Sequence, residues 1–260
     1  MSEQREQSRR FSSTARRGKS TCSSYAESRA KKDVMQMNDV KEIISFLTDL
    51  SENNNKDWFH ANRQRYTDAK KMAEALCAEL IEGIRGFDPY VGTLSPQDCL
   101  FRIFRDTRFA KDKSPYRPGF GMFVARGGKK TEHHGYFFQI GAGSEHNCVA
   151  AGHYFFPPKV LNIIREDILT GDGDFRQALS QVDGRLQMDY SGSYKKTPAG
   201  FPSDGPDAAF YRLRNFGLWY YPDNDFLMAP HLVERLVEIY QTAKPIVSYI
   251  NRAIDYNAEQ

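Results

Sequence analysis

Apolar residues change their spacing twice along this chain, and that change limits the folds open to it. Near the start they recur at three- and four-residue steps. One set is Ile43, Phe46, Leu47 and Leu50; a longer set is Trp58, Asn62, Tyr66, Ala69, Ala73, Leu76, Leu80 and Ile84. That period lays one stripe along a helix. Between Cys99 and Phe155 the pattern becomes alternating, β-branched and aromatic, which suits strands. Cys99–Arg105, Phe120–Ala125, Tyr136–Ile140 and Asn147–Phe155 read as four of them. Gly127-Gly128 separates the second from the third; Gly141 and Gly143 separate the third from the fourth. Links so short make antiparallel hairpins rather than parallel crossovers.

After Pro157-Pro158 the helical period returns with Val160, Leu161, Ile164 and Ile168. A short helix over Asp174–Val182 follows, then the Gly-, Ser- and Pro-rich stretch Gly184–Pro206, read as loop with room for one strand. Phe216–Tyr221 reads as a late strand and Ala229–Tyr256 as a closing helix, which Pro245 is expected to kink or split. The fold class is α+β: one domain over residues 38–256, with a largely antiparallel central sheet and long helices from both ends packed on it. Asn38 is expected to cap the first helix, and one helix is expected over Asp57–Arg85, with Gly86 as its stop. Asn53-Asn54-Asn55 reads as a polar link between helices, with Trp58 anchoring the start of the second.

Residues 1–36 differ in kind. Residues 1–32 hold nine Lys or Arg against three Glu and few aliphatics. Such a segment cannot bury enough apolar surface to offset the entropy of ordering. It fits a disordered basic tail, an Arg- and Ser-rich transit peptide, or an upstream extension of a chain that starts at Met35 or Met37. The remaining residues hold 27 basic against 30 acidic side chains. The net charge of +3 therefore belongs to the tail and says nothing about nucleic-acid binding by the domain. Cys22, Cys77, Cys99 and Cys148 are scattered, with no C-x-x-C pair. They read as buried reduced thiols in a cytoplasmic protein. No run approaches the length of a membrane span.

Against that acidic background, residues 101–117 stand out: F-R-I-F-R-D-T-R-F-A-K-D-K-S-P-Y-R. Arg102, Arg105, Arg108, Lys111, Lys113 and Arg117 face only Asp106 and Asp112 in charge. Arginine forks match phosphate or carboxylate oxygens, and lysine adds point charge. So many like charges repel unless a carboxylate or a bound anion balances them. These six, with Tyr116, form the candidate anion-binding set. Phe101, Phe104 and Phe109 supply apolar walls or stacking faces. Asp106 and Asp112 are the candidate catalytic pair, as base or as Mg²⁺ ligands; the plainer reading has them orient the arginines.

Other motifs carry less. His153, after Gly152 on an aromatic strand, is a core histidine or an accessory base. His133-His134 lack the spacing of a zinc site. Gly119-x-Gly121 and Gly141-x-Gly143 lack the third glycine of a dinucleotide fingerprint, and Lys129-Lys130-Thr131 lacks the upstream glycine of a P-loop. No resident cofactor is implied.

Asn54-Asn55-Lys56-Asp57-Trp58-Phe59 with Asn62, Arg63 and Tyr66 resembles the opening of a microbial family catalogued as domain of unknown function 2461. Arg102-Ile103-Phe104-Arg105-Asp106-Thr107-Arg108-Phe109 and Asp112-Lys113-Ser114-Pro115-Tyr116 resemble its central signature. Gly152-His153-Tyr154 with Ile164-Arg165 and Ile168 is similar to a third block. Lys196-Thr197-Pro198, Gly200-Phe201, Asp204 and Pro206 resemble a fourth, with Ala199 and Gly205 departing from the usual basic residue and histidine. The resemblance implies one domain starting near Met37 and a maintained site at Arg102–Arg117; it supplies no activity. Three functions follow from the residues. The segment holds a small phosphorylated or carboxylated ligand, as in a phosphoryl- or phosphodiester-processing enzyme. It binds nucleic acid or an acidic partner without catalysis. Or it is an internal ion-pair lattice, with function elsewhere.

Overall fold

A computed structural model describes residues 36–152 and 156–260. The basic tail and His153 lie outside the described residues. Helix α1 spans residues 36–52. Gln36 and Met37 are already helical, so Asn38 sits inside the helix and does not cap it.

The expected helix over Asp57–Arg85 is two. α2 (Lys56–Ala61) meets α3 (Arg63–Phe87) at Asn62, whose φ of −104° and ψ of 21° leave the helical region. The Asn62 backbone N–H and its side-chain amide both donate to the Trp58 carbonyl, each at 3.0 Å. Gly86 lies within α3, and Asp88 closes the helix by donating its N–H to the Ile84 carbonyl. After the short helix α4 (Pro96–Cys99) come β1 (Gly119–Val124), β2 (Gly135–Gly141) and β3 (Cys148–Gly152). α5 (Pro158–Thr170), α6 (Asp174–Ser180), β4 (Gln187–Met188), α7 (Ala208–Tyr211), β5 (Leu218–Tyr220) and α8 (Asn224–Met228) follow. α9 (Leu232–Ala258) runs through Pro245 as one helix.

Among the described residues, five strands lie in the order β1-β2-β3-β5-β4, and every pair is antiparallel. Pairing Phe120 with Ile140, Met122 with Phe138 and Val124 with Tyr136 puts six large side chains on one face. Val149, Ala151 and Leu218 continue that face through β3 and β5. All are buried, and α3 and α9 contact that side of the sheet and each other. At roughly 1.5–3 kcal/mol for each large apolar side chain buried, this layer is the main source of stability. At the end of β3, Gly152 takes φ +139°, and a Cβ there would lie 2.7 Å from the Gly217 Cα. Only glycine lets β3 and β5 approach so closely.

Arg165 is buried on α5. It donates to the Tyr211 carbonyl at 2.8 Å and the Leu213 carbonyl at 2.9 Å. It fastens α5 to the chain leading into β5. Among the described residues, no helix is long and apolar enough to cross a membrane.

Candidate functional site

The expected strand Cys99–Arg105 forms only two isolated antiparallel bridges, Leu100 to Met122 and Phe104 to Tyr116. The reason lies across the pair. Pro115 has no N–H to return to the Arg105 carbonyl, so the ladder stops there. Three bonds remain: Phe101 N–H to the Gly121 carbonyl, Arg105 N–H to Pro115 and Arg117 N–H to Ile103, all 2.8–2.9 Å. The result is a loosely paired hairpin that extends β1 and carries residues 105–114 at its tip.

Rings hold its base. Phe59 of α2 stacks on Tyr116 at 4.0 Å and 13°, and Phe104 meets both edge-on at 5.7 and 5.5 Å. Asn54 donates its amide to the Tyr116 carbonyl at 3.0 Å and accepts the Tyr116 N–H at 3.1 Å. Asn54, expected only as part of a polar link between helices, is the clamp that mimics a strand partner. Its neighbour Asn55 caps α2 by accepting the Trp58 N–H.

At the tip, each aspartate does two jobs. Asp106 accepts Arg108 as a fork, Nε to Oδ1 at 3.0 Å and Nη2 to Oδ2 at 2.6 Å, and also accepts the Arg108 N–H. Asp112 accepts Arg105 Nη1, the Ser114 hydroxyl and the Ser114 N–H. Lys113 Nζ donates to the Thr107 and Arg108 carbonyls. Hydrogen bonds from Arg108 hold the Asp106 carboxyl below the usual range. Those from Ser114 and Arg105 hold the Asp112 carboxyl well below it.

Arg102, Lys111 and Arg117 are exposed and hold no ion pair among the described residues. Phe109 stands at the tip 96% exposed, while Tyr116 is buried in the base. The candidate set thus divides. Arg105, Arg108 and Lys113 brace the loop, Tyr116 anchors it, and Arg102, Lys111 and Arg117 face solvent. No group of three or more His, Cys, Asp or Glu is gathered among the described residues where it could hold a metal ion.

Sequence reasoning missed the ground beside the hairpin. Phe101, Phe123, Phe137 and Trp219 line a depression of about 110 Å³ with Lys129 at its edge. Phe123 pairs with Phe137, and Ala150 with Trp219, on the sheet face away from α3 and α9. The signal was present in β1, where Gly119, Gly121 and Phe123 alternate with the core residues: a face of glycines and one ring is not a second core. A larger cleft of about 460 Å³ lies elsewhere, by the fourth block. Asp167, Asp174, Asp204 and Asp207 line it with Arg176, which is paired to Asp207 at 2.6 Å. Its charge is of the wrong sign for an anion, so size does not locate the site predicted from residues 101–117.

No curated protein and no solved structure matches the chain. A family model, that of the conserved hypothetical protein DUF2461, matches residues 42–249 and so takes in the hairpin, the sheet and most of α9. The chain belongs to the DUF2461 family of conserved hypothetical proteins.

Proposed function

We propose that this protein is a cytoplasmic binding module for phosphate-rich chains, and that its ligand is single-stranded nucleic acid gripped by the 101–117 hairpin. The observation that carries this reading is Phe109, 96% exposed between Arg108 and Lys111 on a loop braced by its own ion pairs. An exposed ring costs solubility unless something stacks on it, and cations beside a stacking face are the usual equipment for single strands. Arg102, Lys111 and Arg117 supply phosphate contacts, and the aromatic depression at Phe101 offers a second stacking surface within the same region. Three free, buried thiols at Cys77, Cys99 and Cys148 support a reducing compartment.

The enzyme reading is less well supported. Its proton acceptor was Asp106 or Asp112. Both carboxylates are committed to arginine, and both are held at lowered pKa, which makes them weak bases. A phosphorylated small molecule with Mg²⁺ at these two aspartates remains the rival that the same assay separates.

The test is fluorescence anisotropy of a labelled oligothymidylate over a salt series, alongside inorganic phosphate and a duplex of the same length as competitors. Binding is expected to weaken with salt by a log–log slope of about −0.7 for each phosphate neutralised. Phe109→Ala is expected to weaken it by about 1–3 kcal/mol, the usual worth of one stacked base. An oligonucleotide that does not bind, or that binds equally well to Phe109→Ala and Lys111→Ala, overturns the reading. Full competition by inorganic phosphate points to the small-anion rival.

A further inference from the structure

A second site lies at the other end of the sheet, where the α3 terminus, the β2 entry and the last turns of α9 enclose a cavity of about 280 Å³. Asp88, Arg126, His133, Asn251, Arg252 and Asp255 line it. Its walls are fixed. Asn251 accepts the His134 N–H at 2.7 Å and donates to the His134 carbonyl at 3.1 Å, so α9 is bonded to the strand entry. His133 Nε2 meets Asp255 Oδ1 at 2.9 Å, and its Nδ1 meets the Thr131 hydroxyl at 3.0 Å. Arg126 Nη1 donates to both oxygens of Asp255, at 3.0 and 3.1 Å.

Two charges are left over. Asp88 is only 5% exposed. Tyr136 donates its hydroxyl to Asp88 Oδ2 at 2.8 Å, but the other oxygen, Oδ1, is buried with no partner among the described residues. A buried carboxylate oxygen without a donor carries a desolvation penalty that a ligand's N–H can remove. Arg252, which also lines the cavity, lies over the Tyr249 ring at 5.2 Å and holds no ion pair among the described residues. Arg126 and Asp255 neutralise each other. What the cavity offers is one carboxylate oxygen short of a donor and one exposed guanidinium that no carboxylate pairs among the described residues.

We propose that this cavity binds a small zwitterion of amino-acid size, its ammonium at the Asp88 carboxylate and its carboxylate at Arg252. A lone cation leaves Arg252 unmatched and a lone anion leaves Asp88 unmatched; a neutral molecule with separated charges matches both. The volume of about 280 Å³ suits a free amino acid and lies below the usual range for larger ligands. The inference stands apart from the hairpin reading and survives its failure.

The experiment is calorimetric titration and thermal denaturation of the full chain with glycine, serine, glutamate and lysine, each against methylamine and acetate. At least one amino acid is expected to bind and raise the midpoint, with neither single-charge probe matching it. Arg252 is exposed, so Arg252→Gln keeps the fold and is expected to weaken binding about 10- to 100-fold, the usual cost of one charged hydrogen bond. Asp88→Asn retains an acceptor for Tyr136 and is expected to abolish binding; if it does not fold, Arg252→Gln decides alone. No binding at millimolar amino acid, binding untouched by Arg252→Gln, or equal binding of methylamine or acetate each overturns the proposal.

Discussion

The hairpin at residues 101–117 and the cavity beneath Asp88 hold their charges in opposite ways. In the hairpin, charge is dense, exposed and self-paired: Arg108 is matched by Asp106, Arg105 by Asp112, and water reaches all four. In the cavity, Arg126 and Asp255 form an exposed pair of the same kind, but one Asp88 oxygen is buried without a donor among the described residues. Exposed ion pairs gain little because water screens them, whereas a buried unpaired oxygen pays its whole desolvation cost. The conspicuous charges should therefore matter least for stability and the inconspicuous one most.

The largest expected effect tests what ties the hairpin to the domain. Its base is aromatic, with Phe59 stacked on Tyr116 and a further 5.0 Å from the Tyr66 ring. Phe59→Ala is expected to cost about 3–5 kcal/mol in urea denaturation, the range for a buried phenylalanine. A loss under 1 kcal/mol breaks the claim that rings rather than ion pairs carry the loop.

Next comes the cavity. Tyr136→Phe removes the hydroxyl that donates to Asp88 Oδ2 and, among the described residues, leaves neither carboxylate oxygen with a donor. Burial and the Asp88 carboxylate push the Tyr136 phenol up, so it is a neutral donor across the accessible pH range. The variant is expected to lose about 1–3 kcal/mol. An unchanged denaturation midpoint means that Asp88 is not short of donors, and the contrast between the two regions collapses.

A smaller effect concerns Asp255, where the hydrogen bond from His133 and then the Arg126 charge lower the carboxyl from its ordinary 3.8. A depressed folded-state value contributes stability above the unfolded-state pKa, and that contribution is lost as pH falls through the folded one. Stability measured from neutral pH downward is thus expected to fall faster below pH 3.8 in the wild type than in Asp255→Asn. Asp106 and Asp112 titrate in both proteins and cancel in the difference. Parallel curves remove Asp255 from the cavity's electrostatics.

What the sequence revealed divides along the same line. The fold class was legible because Phe120, Met122, Val124 and their partners alternate, and because the α3 and α9 stripes keep helical period; burial imposes both patterns locally. The split at Asn62, the early end of the Cys99–Arg105 pairing and the clamp of Asn54 on Tyr116 were not legible. The clamp depends on a partner 62 residues along the chain and the early end on Pro115 across the hairpin, while the split is a local choice by Asn62, whose side chain bonds Trp58. The hairpin announced itself by charge density. Yet which arginines were spent inward and which faced out could not be read, because Asp106 reaches forward two residues to Arg108 and Asp112 back seven to Arg105 through the turn geometry. The cavity gave almost no signal: Asp88, Arg126, His133 and Arg252 are single polar residues spread over 165 positions, brought together only by the packing of α3, β2 and α9.

The smallest expected effect on stability is the most informative about function. Asp106→Asn removes the fork that holds Arg108 and leaves the amide oxygen to accept the Arg108 N–H. Because the pair is exposed, the urea midpoint is expected to stay within error of the wild type. Binding is expected to move the other way. The Arg108 guanidinium, freed from its carboxylate, becomes available to a phosphate, so oligothymidylate binds more tightly at low salt. The log–log salt slope then steepens by about 0.7, the value for one more phosphate neutralised on a single strand. The two readouts separate the rival accounts of the hairpin. A variant that keeps its midpoint and binds more tightly fits a binding surface whose aspartates hold arginines in reserve. One that loses both stability and binding fits an internal lattice, in which the ion pair shapes the loop and residues 101–117 serve the fold alone.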